Sequence, residues 1–161
     1  MASQADTAKG CDPFQLCRFI SAQQDMYKEI LEELRGGCKQ THWMWFVFPQ
    51  IDGLGSSSMA KRYAIKSLEE AREYLDHPVL GARLKECSEA LLAVVGKSIT
   101  DVLGFPDDVK LKSSMTLFAS IDKPDSVFAR VLEKYFQGEQ DSRTIELAQH
   151  GGDRGSANGR G

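Results

Sequence analysis

At 161 residues, 42% apolar and 27% charged, the chain has the size and composition of one soluble globular domain. Its net charge of −3 offers no global pull toward nucleic acid or an anionic membrane. No stretch comes near the roughly 18 uninterrupted apolar residues of a membrane span. A domain of this length buries roughly 70% of its unfolded surface, enough to fold without a metal or a disulfide.

The four cysteines, at 11, 17, 38 and 87, match neither a zinc knuckle nor a redox Cys-x-x-Cys, so no metal site is expected. They read as reduced thiols of a cytoplasmic protein, with Cys87 on an apolar helical stripe and Cys11 and Cys38 exposed. The opening MASQADTAKGCDPF lacks the apolar run of a secretory signal, and Ala2 stands where N-myristoylation needs glycine.

Residues 1–11 are small and polar and read as a flexible arm. Asp12-Pro13 then signals a helix start, Asp as N-cap and Pro at the first helical position. Leu16, Phe19, Ile20, Tyr27, Ile30, Leu31 and Leu34 follow at helical spacing, ended by Gly36-Gly37. Gln23-Gln24-Asp25 interrupts that face and divides the run into two short helices. Thr41 to Phe48 predicts a short helix stopped by Pro49, rather than a buried strand, because the chain offers no partner strands. Residues 50–58 are a Gly/Ser loop, and Ser67-Leu68-Glu69-Glu70 is a capping box opening a helix to about Asp76.

After His77-Pro78, the stripe Leu80, Leu84, Cys87, Leu91 and Val94/Val95 predicts an amphipathic helix ending at Gly96. Ser98 to Asp101 caps a short helix that Gly104 ends, and Pro106-Asp107-Asp108 opens another through Ala119. Pro124-Asp125 starts a helix closed by Gly138, and residues 141–148 form the last. The glycine-rich residues 149–161 read as a disordered tail. The fold class is all-α: one compact domain, residues 12–148, of about eight or nine short helices.

Two segments concentrate groups able to hold a ligand. HWMWFVFPQ, residues 42–50, supplies both tryptophans of the chain, His42 and Gln50. One reading makes it core, since a segment apolar on all faces is normally buried. The other makes it one wall of a cleft, with Trp43 or Trp45 stacking a planar ligand that His42 and Gln50 orient. Gly53 to Ser58, followed by Lys61, Arg62 and Lys66, resembles an anion-binding loop with a cationic rim. It lacks the signatures of a P-loop or a dinucleotide fold.

The second segment, FPDDVKLKSSMTLF, residues 105–118, brings Asp107, Asp108, Lys110, Lys112, Ser113 and Ser114. Here the lysines would meet negative charge, Asp107 or Asp108 would serve as acid or base, and no covalent nucleophile motif is present. His77, beside Pro78, reads as structural, and His150 lies in the tail.

At HWMWFVFPQ, GLG, SMAKRYAI, HPVLGARL and PDDVKLKSSMTLF the chain resembles the family called domain of unknown function 1810, over about residues 12–148. Asp12-Pro13-Phe14, Arg18-Phe19, Ala22-Gln23, Phe128, Tyr135-Phe136 and Gly138 fit the same pattern. The resemblance implies a small multi-helical fold and carries no activity, substrate or catalytic residue. Members are sometimes labelled calpastatin, which does not suit this compact, non-repetitive chain.

The leading expectation is a domain that binds, and in its stronger form hydrolyses, a small anionic or nucleotide-like compound. His42, Asp107 and Asp108 are the catalytic candidates, and Trp43, Trp45, Gln50, Lys61, Arg62, Lys110, Lys112 and Ser113 the ligand contacts. No cofactor, nucleic acid or membrane is called for. The alternative is a non-catalytic protein-interaction module, with homo-oligomerisation open.

Overall fold

The computed structural model describes residues 12–149. Residues 1–11 and 150–161, which carry the arm, Cys11, His150 and nearly all of the glycine-rich tail, lie outside that range. Gln149 closes the last helix instead of opening the tail.

Among the described residues are ten helices: α1 (Cys17–Gln24), α2 (Tyr27–Arg35), α3 (Met44–Val47), α4 (Ser58–Arg62), α5 (Leu68–Asp76), α6 (Leu80–Ala93), α7 (Ile99–Leu103), α8 (Asp107–Ala119), α9 (Val127–Phe136) and α10 (142–149). The expected break at Gln23–Asp25 is present between α1 and α2. The count exceeds eight or nine because the 57–62 stretch winds into α4, with Ser57 Oγ accepting from the Ala60 amide.

Local chemistry sets most helix starts. Ser57, Ser67, Ser98 and Ser126 each accept a hydrogen bond from the amide three residues on, and Ser98 with Asp101 completes a reciprocal capping box. Three starts differ from expectation. Asp12 caps across a turn, its carboxylate taking the Leu16 and Cys17 amides at 2.6 and 3.0 Å, so α1 begins at Cys17 rather than Pro13. The helix expected from Pro124 begins after Ser126, whose hydroxyl is the better acceptor for its first turn. The helix expected from Thr41 to Phe48 is a single turn, because the Thr41 hydroxyl donates to Glu33 Oε2 and does not cap.

The long helix α6 is central, with α2, α5 and α9 packed against it, and α9 also packs on α8. Its second residue, Gly81, lies so close to the end of α5 that a Cβ there would stand 2.0 Å from the Leu75 carbonyl oxygen. A row of aromatic rings runs through the core from α3 to α9: Phe46, Tyr63, Phe19, Tyr74, Phe118 and Phe128, with neighbouring centroids 5.0 to 5.8 Å apart. Gln50–Asp52 is held by Ile65, which donates its amide to the Gln50 carbonyl and accepts from the Asp52 amide, both at 2.8 Å. That parallel bridge is isolated; no strands form among the described residues.

A buried amide indexes this core. Gln23 Nε2 donates to the Phe46 carbonyl at 2.6 Å and to the Tyr74 hydroxyl at 3.2 Å, while its Oε1 accepts from Arg83 at 3.1 Å. Gln23→Ala leaves three polar groups without their partner, so urea denaturation should show a loss of about 2–4 kcal/mol. A loss under about 0.5 kcal/mol, the range of an inert surface change, would mean the amide is dispensable.

Candidate functional site

The aromatic segment is pinned from α2. Glu33 Oε1 accepts from the Trp43 indole at 2.8 Å, the Gln40 amide at 2.9 Å and the Thr41 amide at 3.2 Å, and Oε2 accepts from the Thr41 hydroxyl at 2.7 Å. Burial raises the Glu33 pKa, but these hydrogen bonds to the charged form outweigh it and bring the carboxyl below the ordinary glutamate range. Trp43 is fully buried, so its ring is core and leaves no face for a ligand. Trp45 is only half-buried, and His42 is exposed.

The two segments singled out in the sequence adjoin. Lys39, whose side chain is 7% exposed, pairs with Asp107 Oδ2 at 2.9 Å and lies 5.0 Å from the centre of the Trp43 ring. Lys110 stands 3.7 Å from Asp107 Oδ1 and 5.2 Å over the Trp45 ring. Asp107 is therefore already neutralised by two lysines. Asp108 accepts from the Thr100 hydroxyl at 2.6 Å, and Lys112 pairs with Glu139 at 2.8 Å. Ser113 is buried 3.3 Å from Asp141 Oδ2, and Ser114 is buried with its hydroxyl unpartnered among the described residues. Gln50 and Trp45 share a recess of about 10 Å3 with Gly53, Gly55 and Tyr63, the room of one water molecule.

A larger opening lies across Tyr63. This cleft of about 500 Å3 runs between the 13–15 turn, the Arg62–Ser67 stretch and the first turn of α5. Arg18 and Glu70 form its floor, paired at 2.9 Å, with the Glu70 side chain 2% exposed. Glu70 Oε1 accepts from the Lys66 amide at 2.8 Å, so it skips the Ser67 amide that a full capping box would use. Arg62 and Lys66 stand at the rim with exposed heads. The Arg62 guanidinium lies 5.6 Å from the Tyr63 ring centre, and Lys66 Nζ donates to the Lys61 carbonyl at 3.3 Å, 4.0 Å from Asp52. Lys61 is exposed on the same short helix.

Of the residues expected to meet a ligand, only Arg62 and Lys66 border this cleft; Arg18, Phe14 and Glu70 went unassigned. One sequence signal pointed to the floor: Glu70 falls on the same face of α5 as the buried Ala71 and Tyr74, where a carboxylate requires a cationic partner. Elsewhere, His77 is structural, its Nδ1 accepting from the Val79 and Leu80 amides at the start of α6. Burial lowers its pKa, in keeping with a neutral ring. Burial pushes the Cys87 thiol up to about 12, and Cys17 and Cys38 are exposed.

Fold and cleft together define a compact all-helical domain with an open, basic-rimmed hollow that none of residues 42–50 lines. The chain belongs to the family described as Protein of unknown function (DUF1810), whose model matches residues 13–148. It is similar to the crystal structure of the conserved hypothetical protein Rv1873 from Mycobacterium tuberculosis, at 54% identity and a TM-score of 0.83, over 84% of this chain and 97% of that one. No curated protein matches it. Among the described residues no helix is long and apolar enough to cross a membrane.

Glu33 makes the pinning of the aromatic segment pH-dependent. Its folded pKa is depressed, so its contribution is fully present above the ordinary glutamate pKa and is lost as pH falls through the lower folded value. Glu33→Ala should cost about 2 kcal/mol near pH 7 and flatten the fall in stability below about pH 4. Denaturation midpoints across pH 2–7, with both proteins losing stability in parallel, would refute the assignment.

Proposed function

We propose that this domain binds a small anionic, nucleotide-like ligand in the cleft between the 13–15 turn and the Arg62–Ser67 stretch. Arg62 and Lys66 meet the negative charge, and Phe14 with Pro13 offers an apolar face to the rest of the molecule. The observation that carries this reading is the pairing of a cleft of about 500 Å3, the size of small-molecule sites, with two exposed cations at its rim. Lys61, exposed beside Arg62 at the end of α4, extends the same basic surface. Trp45, Gln50 and Lys110 form a separate polar and aromatic surface beyond Tyr63, with room for water but not for a base or a sugar.

His42, Asp107 and Asp108 do not line the cleft, and the two aspartates are held by Lys39, Lys110 and Thr100. A protein-interaction role is the second reading, favoured by Phe105 and Val109, 78% and 48% exposed and four residues apart at the start of α8. Self-association seen by light scattering and abolished by Phe105→Ser would favour it.

Thermal shift against nucleoside monophosphates and sugar phosphates tests the leading reading. A ligand at 100 times its Kd stabilises the fold by about 2.7 kcal/mol, a shift of several degrees. Arg62→Ala and Lys66→Ala should each weaken binding by about tenfold or more, while Trp45→Ala leaves it unchanged. Variants that bind as well as the native protein, or no stabilisation by any compound, would sink it.

A further inference from the structure

Arg18 lines the cleft, and it has nothing left to give a ligand. A guanidinium carries five N–H donors. In Arg18 all five are used: Nε donates to the Arg62 carbonyl at 2.8 Å, Nη1 to the Phe14 and Gln15 carbonyls at 2.7 and 3.0 Å, and Nη2 to the Ala64 carbonyl and Glu70 Oε2, both at 2.9 Å. Those acceptors belong to three different walls: the 13–15 turn, the 62–64 stretch and α5.

Glu70 Oε1 also ties α5 to the Lys66 amide, but among the described residues no other hydrogen bond joins the 13–15 turn to either of the other walls. Gln15 sits at φ 54°, a left-handed conformation that a side-chain-bearing residue adopts only when its surroundings hold it there. Two of the five bonds go to the carbonyls of that turn, and one goes to the backbone of Arg62 itself. The distance between the Phe14 turn and the backbone that carries Arg62 is thus set through one planar group.

Resting on the binding reading above, we infer that Arg18 is the positioning residue of this site: it touches no ligand and fixes the spacing between the Phe14 face and the Arg62 charge. A lysine keeps the charge and the pairing with Glu70 but supplies three donors from a single nitrogen, without the fork that reaches three walls. The site therefore selects a ligand whose anionic group and flat or apolar part are separated by that fixed span, such as a mononucleotide, over a bare anion.

The experiment uses the full chain with two probes, inorganic phosphate and adenosine 5′-monophosphate, titrated by calorimetry and by nitrogen–proton NMR of the arginine Nε–H groups. In the native protein the Arg62 Nε–H signal should move on adding the mononucleotide while that of Arg18 stays in place. Arg18→Lys, folded by circular dichroism at the assay temperature, should bind the mononucleotide about tenfold more weakly and lose the native preference for it over phosphate. An Arg18 signal that shifts as far as that of Arg62 would make it a ligand contact and overturn the inference, a result available even if the variant does not fold. Native-like affinity and preference in Arg18→Lys would overturn it while leaving the binding reading intact. Absence of any binding by the native protein, or native-like binding by Arg62→Ala, is the separate failure of the binding reading, and the inference falls with it.

Discussion

The side-chain amide of Gln23 joins parts of this molecule that no backbone pairing connects. It reaches the carbonyl of Phe46 in α3, the hydroxyl of Tyr74 in α5 and the guanidinium of Arg83 in α6. The need for such a group follows from the architecture. Helices satisfy their own backbone bonds internally, and apolar burial is non-directional, so neither fixes how ten short helices are turned against one another. The row of rings from Phe46 to Phe128 supplies contact area, and Gln23 supplies register. A buried amide is costly anywhere except where its partners stand, which confines α1 to one seating.

Arg18 and Glu33 repeat that arrangement nearer the surface. Glu33 holds the chain from Gln40 to Trp43 with four bonds, and Arg18 holds the cleft walls with five. Saturation of these groups has a functional consequence. A polar side chain with every donor or acceptor used shapes a site without contacting what enters it. On the proposed reading, ligand recognition falls to groups with spare donors, and the cationic ones around the cleft are Arg62 and Lys66.

Much of the fold could be read from residues close in sequence. Apolar spacing located α2, α6, α8 and α9, and serine caps marked the starts of α5 and α7. Departures arise where a distant side chain takes over a local group. Arg18, 52 residues from Glu70, draws that carboxylate out of a simple capping box. Glu33 draws the Thr41 hydroxyl away from capping α3. The site was harder to read for the same reason. Density of aromatic residues drew attention to Trp43 and His42, yet the partner that makes Trp43 core lies ten residues upstream in another helix. Asp107 pairs with Lys39, distant in sequence, a partner that no local pattern announces. Glu70, read locally as a capping residue, is a buried carboxylate whose partner Arg18 lies on another helix.

Charge resolves the remaining tension between an acidic chain and the anion site proposed for it. Overall the protein carries −3, which repels an extended polyanion. Within the cleft, however, Glu70 is cancelled by Arg18 at 2.9 Å, leaving Arg62 and Lys66, with Asp52 offsetting Lys66 only from 4.0 Å. At physiological ionic strength fields between exposed charges fade over about 8 Å. A ligand no larger than the cleft therefore feels the local positive balance, whereas a nucleic acid spans several such lengths and meets the acidic remainder. The same physics that argues against a polymer partner favours a small anion, and it does so only because one guanidinium is spent on neutralising the floor.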